Sequence, residues 1–234
     1  MLNQNTRKVI SSLAQINNSQ IISYPVTLVK SGTNMQAFLD MTKLDEEEFN
    51  KVGFFSVTEF LSITDIVEDA QIEANEAGTI TIKNSNTSVT YNSTNIKMLE
   101  EAGCSGNFDL IDKIKSNETI ASFKLLNVEL NKIKKMSGLL KSMIIFRLTG
   151  NGSDVVVSLE GTEKSSNNYA VTFDDEASSS EFVMDVNMSN INKLPGSDYD
   201  VTVHRSTKGS IIVVFSSINV PGLNIFCTEK VKNK

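Results

Sequence analysis

The stretch Leu126-Asn127-Val128-Glu129-Leu130-Asn131-Lys132-Ile133-Lys134-Lys135-Met136-Ser137-Gly138-Leu139-Leu140-Lys141 decides how the rest of the chain is read. Leu126, Leu130, Ile133 and Leu140 recur at the spacing of one helical face. Lys134 and Lys141 share a polar flank, and Lys132 and Lys135 lie further round the helix. Immediately beyond, the pattern changes to period two. Residues 143–148, 154–159, 169–173 and 181–186 alternate as half-buried strands do, with turn signals at Gly150-Asn151-Gly152 and in the polar run 163–168. A basic amphipathic helix feeding antiparallel strands is therefore predicted.

The N-terminal half repeats that order. Across residues 3–17, Val9, Leu13 and Ile16 mark one face, and Arg7, Lys8, Ser11 and Gln15 fall opposite. Strands are predicted at 21–24 and 35–39, divided by Ser31-Gly32. A second, shorter helix follows in each half. Residues 57–68 carry Phe60, Leu61, Thr64 and Val67 on one side, and residues 188–194 stop at Pro195-Gly196. Three more strands close each half, at 70–74, 78–83 and 88–91, and at 199–204, 210–215 and 223–227, with hairpin turns at Ala77-Gly78 and Lys208-Gly209. The halves share no residue-level identity, but the order of elements repeats, which defines an α+β chain of two similar units. The polar, weakly periodic stretch 96–121 reads as the connector, with Phe108, Leu110 and Ile111 packing across the domain faces.

Composition excludes several classes. With 40% hydrophobic residues, the chain of 234 has too much apolar content for general disorder. No apolar run is long enough for a membrane helix, and the polar start Met1-Leu2-Asn3-Gln4-Asn5 shows no secretory leader. Cys104 and Cys227 form no CxxC pair and are expected to be free thiols in a reducing compartment. Asn-x-Ser/Thr triplets beginning at Asn17, Asn92 and Asn151 are expected by chance in an Asn- and Ser-rich chain.

The net charge of -6 is unevenly placed. Residues 1–117 hold 9 Lys+Arg against 15 Asp+Glu, and residues 118–234 hold 13 against 13. No acid precedes Asp40, and none lies between Glu129 and Asp154, so each half opens with a basic window around its first helix.

Motifs for catalysis are scarce. His204 is the only histidine, in a strand-like stretch. There is no metal-ligand spacing, phosphate loop, dinucleotide fingerprint or nucleophile elbow, so neither a metal nor a cofactor is expected and the chain reads as no enzyme. Asp45-Glu46-Glu47-Glu48 and Asp174-Asp175-Glu176 read as solvated acidic loops, because consecutive residues do not converge on a cation. The two basic helix faces remain. Lysines and arginines without base-reading partners suit sequence-neutral phosphate contact. With no Trp and only 4 Tyr, single-strand stacking platforms are scarce, so duplex backbone is the better match.

Four segments carry a family likeness. They are Ala14-Gln15-Ile16-Asn17 with Ser19; Phe60-Leu61-Ser62-Ile63 with Val67-Glu68-Asp69-Ala70-Gln71-Ile72; Glu76-Ala77-Gly78-Thr79-Ile80-Thr81-Ile82; and Val186-Asn187-Met188-Ser189-Asn190 running through Lys193 to Pro195-Gly196 and Tyr199. In these the chain resembles the sliding clamp of tailed phages of the myovirus type, the processivity factor of the replicative DNA polymerase. The resemblance implies the DNA-clamp fold, with two similar domains, each with two inner helices on curved antiparallel sheets. Here these would be an N-terminal clamp domain (1–110), a connector (111–122) and a C-terminal clamp domain (123–234).

It also implies a head-to-tail homotrimeric ring around duplex DNA in the cytoplasm of an infected host cell. The polymerase would dock through its C-terminal peptide, and a separate clamp loader would open the ring. Inner-face residues would be Arg7, Lys8, Lys132, Lys134, Lys135, Lys141 and Lys193. Ring contacts would be Val89 and Tyr91 against Tyr169, Val171 and Phe173, and Leu110 and Ile111 would rim the peptide pocket. The acids Glu59, Asp65, Glu68 and Asp69 on the second helix depart from a uniformly basic inner face. The rival reading is a β-rich phage neck or tail protein with no role in sliding. That rival has no need of two equivalent basic helices.

Overall fold

The computed structural model describes residues 3–229 except 33, 47–50, 68, 75–77, 105–112, 115, 162–167 and 175–177. The chain separates into two compact units. The first takes Met1–Ser31, Gln36–Asn107 and Pro221–Leu223, and the second Gly32–Met35, Phe108–Val220 and Asn224–Lys234.

In the first unit, α1 (Gln4–Leu13) is capped by Asn3, whose side chain accepts from the Thr6 amide at 2.9 Å. Such a cap is worth about 1 kcal/mol. Thr6, Val9, Ile10 and Leu13 form its buried face. The strands β1 (Gln20–Ile22), β2 (Val26–Ser31), β3 (Met35–Asp40) and β4 (Val52–Phe54) lie in the order β3-β2-β1-β4. Next, α2 (Val57–Ile66) opens on Ser56, whose hydroxyl accepts from the Glu59 amide, and buries Val57, Phe60, Leu61 and Thr64. A second sheet, β5 (Gln71–Ala74), β6 (Thr79–Lys83) and β7 (Ser88–Asn92), is a simple antiparallel meander ending on β7. Gly78 turns the first of its hairpins with φ +82, a conformation that disfavours any side chain.

The second unit repeats this order. β8 (Glu118–Leu125) leads into α4 (Asn127–Leu139), after the short α3 (Ile96–Glu101) of the first unit. Then come β9 (Met143–Asn151), β10 (Val155–Gly161), β11 (Tyr169–Phe173), β12 (Ser178–Ser179) and β13 (Glu181–Asn187). After α5 (Met188–Asn192) the unit closes with β14 (Tyr199–Arg205), β15 (Ile211–Ser217) and β16 (Leu223–Thr228). One antiparallel sheet runs β11-β10-β9-β13, and β12, β8, β14, β15 and β16 neighbour one another in that order. Strict alternation buries Val155, Val157 and Leu159 on β10 and Tyr199, Val201 and Val203 on β14. Each such side chain contributes about 1.5–3 kcal/mol on burial. The fold is α+β with predominantly antiparallel sheets.

Four expectations need correction. The stretch 96–121 is not merely a connector. It holds α3, capped by Asn95 and anchored by Leu99 packed with Ile21 and Cys104, and β8 begins inside it at Glu118. Gly150 sits within β9 rather than in a turn, because a Cβ there would meet the Ser180 carbonyl and the Phe182 ring. Glu46 is not solvated. It is buried and accepts from the Asn3 amide at 2.7 Å, tying the loop after β3 to the start of α1. Three strands, β2, β4 and β12, are absent from the predicted set: β2 buries three consecutive residues, and β4 and β12 are too short to alternate.

Candidate nucleic-acid interface

Several basic side chains are held in ion pairs. Lys51 pairs with Glu100, Lys83 with Glu73, and Arg147 makes a two-pronged contact with Asp185 at 2.7 and 3.0 Å. By contrast, among the described residues Arg7, Lys8, Lys132, Lys135 and Lys141 form no ion pair. These five lie on α1, on α4 and in the turn just after α4; Lys43, Lys97, Lys113 and Lys208, elsewhere on the surface, also form no ion pair among the described residues. Surface pairing is weak in any case, but its absence leaves these cations available to an external anion.

On α1, Lys8 is exposed and Arg7 half-buried, with a buried Nε that has no hydrogen-bond partner. A cleft of about 420 Å³ between α1 and α2 is lined by Gln4, Arg7, Lys8, Ser11, Leu61 and Asp65. On α4, Lys132 and Lys135 are exposed, and so is Lys141 just beyond. Leu130 and Ile133 alone form the buried stripe of this helix. Leu126, predicted to join it, is 45% exposed, and Val128 and Leu139 also stand in solvent, at 54% and 76%. The helix has no side-chain cap of its own at Leu126. Asp198, just before β14, accepts from the Asn127 amide at 2.7 Å and places a carboxylate at the helix N-terminus.

Lys134 is engaged internally. It is half-buried and donates to the Leu194 carbonyl at 2.6 Å, just past α5. Burial holds its ammonium below the usual lysine range. It acts as a strut between the two helices of the second unit. Lys193 is half-buried at the C-terminal cap of α5. The exposed positions of α2 include Glu59 and Asp65 and no base. Glu68, Leu110 and Ile111 lie outside the described residues.

The strands expected at a ring contact are both sheet edges. β7 ends the three-stranded sheet and β11 ends the four-stranded one. The side chains named for them are the half-buried row of each strand. Tyr91 stacks with Phe54 and Phe60 at 6.1 and 5.6 Å, and its hydroxyl donates to the Ser56 carbonyl. Phe173 packs on Phe123 at 4.9 Å. Ser88, Thr90 and Asn92 on β7, and Ala170 and Thr172 on β11, form the exposed row of each strand. Choosing between the two rows needs the sheet's packed face, which period-two patterning alone does not supply.

The described residues hold no cluster of metal-ligating side chains and no helix long and apolar enough to cross a membrane. Cys104 and Cys227 are free and buried, and burial pushes the Cys227 thiol up to about 12, leaving it unreactive. His204 is 6% exposed on β14, beside an irregularity in its pairing with β8, with Nε2 2.9 Å from the Thr202 hydroxyl. Burial pulls its pKa below 6.5, and a hydrogen bond with the Asn117 backbone opposes this. The unfolded chain therefore binds this proton at higher pH than the folded one. Stability contributed by neutral His204 is present above 6.5 and is lost as pH falls below it. As the only histidine, His204 gives a single imidazole spin system, and its NMR titration midpoint is expected below 6.5. A midpoint at or above that value would contradict the buried placement.

No protein-family model matches the chain, and no curated protein does. Solved structures do. The chain is similar to the Archaeoglobus fulgidus PCNA solved with the C-terminal region of FEN-1 (TM-score 0.66, 10% identity, 97% of this chain and 96% of that one). It is similar to a chain of the PCNA2-PCNA3 complex from Sulfolobus tokodaii (TM-score 0.64, 10% identity, 97% and 96%). A putative DNA polymerase III beta subunit from Eubacterium rectale matches with TM-score 0.63 and 12% identity, over 99% of this chain and 65% of that one. The chain has the DNA-clamp fold.

Proposed function

We propose that this chain is a sliding clamp that encircles duplex DNA and tethers a replicative DNA polymerase. The observation that carries the reading is the unpaired basic set on the first helix of each of two similarly built units. In a ring with those helices inward, Arg7, Lys8, Lys132, Lys135 and Lys141 meet phosphates without reading sequence, and Lys193 joins them from the end of α5. Weak, interchangeable contacts suit a protein that must move along DNA. Retention then comes from topology, and no bond in the DNA is made or broken.

Ring closure is assigned to the free edges of β7 and β11, in a head-to-tail contact whose rotation closes. Three copies, a phage source, activity in the cytoplasm of an infected cell, docking of a polymerase C-terminal peptide and opening by a clamp loader all follow from the family likeness and belong to the same proposal. So does the division into clamp domains at 1–110 and 123–234. The apolar rim residues Leu110 and Ile111 remain the proposed peptide contact.

The test is order of addition on a linear duplex biotinylated at both ends. Protein added before streptavidin blocks the ends is expected to survive a high-salt wash, and protein added afterwards to wash away. Equal retention in both orders would overturn topological linkage.

A further inference from the structure

Resting on the sliding-clamp reading, we propose that Asp65 is a built-in competitor of DNA phosphate for Arg7 and Lys8, and that it keeps their contact with the duplex short-lived. The carboxylate shares one cleft with both bases, yet no ion pair among the described residues engages any of the three. A settled salt bridge would have neutralised Arg7 and closed the cleft to an anion. Instead the buried Arg7 Nε has no acceptor, and Asp65 stands exposed across the same opening.

An incoming phosphate can pair with Arg7 and Lys8 where they line the cleft, while Asp65 repels the phosphate that does so. When the phosphate leaves, the carboxylate still offsets the two cations, so release costs less than from a purely basic cleft. Glu59 adds a second negative charge on the exposed positions of α2, where no base offsets it. The second unit lacks this arrangement. Its α4 carries Lys132 and Lys135 exposed, and its one acid, Glu129, is half-buried in the first turn. The two basic helices therefore differ in how long they hold a phosphate. α4 grips, and α1 with α2 lets go.

Asp65→Asn keeps the shape and removes the charge. Measured by anisotropy of a labelled linear duplex at low salt, it is expected to tighten binding about three- to fivefold and to steepen the salt dependence by up to about one counterion. On stretched DNA the variant is expected to diffuse more slowly. Asp65→Glu is expected to behave as the parent, and Arg7→Gln with Lys8→Gln to weaken binding. If the Arg7 and Lys8 replacements weaken binding while Asp65→Asn leaves it unchanged, the competitor role is overturned and the clamp reading stands. If none of these variants alters duplex binding, the inner-face contact fails, and the competitor role fails with it. Asp65→Ser supplies the same charge removal should the asparagine variant fold poorly, with far-UV circular dichroism as the check.

Discussion

Reversing Lys132 and Lys135 together to glutamate is expected to weaken duplex binding by at least about 30-fold and leave the oligomer's mass unchanged. Both side chains are exposed on α4 and carry no ion pair among the described residues, so their loss removes no internal contact. A solvated charge–phosphate contact near 4 Å is worth about 1 kcal/mol in water, so two contacts amount to about 30-fold. Reversal adds repulsion of similar size. The salt dependence should flatten at the same time, since fewer counterions are released. Polymerase processivity should fall with the affinity, and sizing with light scattering checks the assembly. Unchanged binding would remove α4 from the DNA-facing surface and favour the structural-protein rival. Lys134 is the wrong position for this test. Its ammonium holds the Leu194 carbonyl, so Lys134→Glu would unseat α5 and confound loss of contact with loss of structure.

What was legible in the sequence divides by the kind of signal. Strong helical periodicity placed α1, α2 and α4, and alternation placed most strands of both units, because burial on one face imposes those periods directly. The repeated order of elements indicated two similar units, and the likeness of four segments to phage clamps implied the fold that the solved structures share. Signals failed where the deciding contact is distant in sequence. Glu46 looked solvated within an acidic run, and only its contact with Asn3 explains its burial. Lys134 looked like its neighbours on α4 until the Leu194 carbonyl set it apart. α3 is too short for a periodic signature and depends on Leu99 finding Ile21 and Cys104. The edge strands were correctly singled out as strands, but period two cannot say which row of each faces the core; the residues named form the half-buried row. Even Asp65, visible as a departure from a basic face, gains its meaning only from sharing a cleft with Arg7 and Lys8.

Phe60→Ala is expected to destabilise the first unit by about 3–5 kcal/mol, the range for truncating a buried aromatic. Phe60 is 2% exposed on α2, and its ring lies 4.5 Å from Phe54 on β4 and 5.6 Å from Tyr91 on β7. Such ring pairs add about 0.5–1.5 kcal/mol beyond burial. The cluster therefore links a helix and one strand from each sheet of the unit, and the strand it holds from the second sheet is the free edge assigned to ring closure. Truncation should have two readouts. Denaturant unfolding should show an earlier transition for this unit. The oligomer should also dissociate at higher protein concentration than the parent, because a loosened β7 presents a less ordered edge. Phe60→Leu, which keeps most of the volume, should cost less than about 1.5 kcal/mol and preserve assembly. Tyr91→Phe separates the ring from its hydroxyl. It loses only the hydrogen bond to the Ser56 carbonyl, worth about 1 kcal/mol, and should leave the edge in place. If Phe60→Ala lowers stability and the oligomer holds at every concentration, ring closure does not depend on β7. The edge assignment then falls, while the core role of the cluster survives.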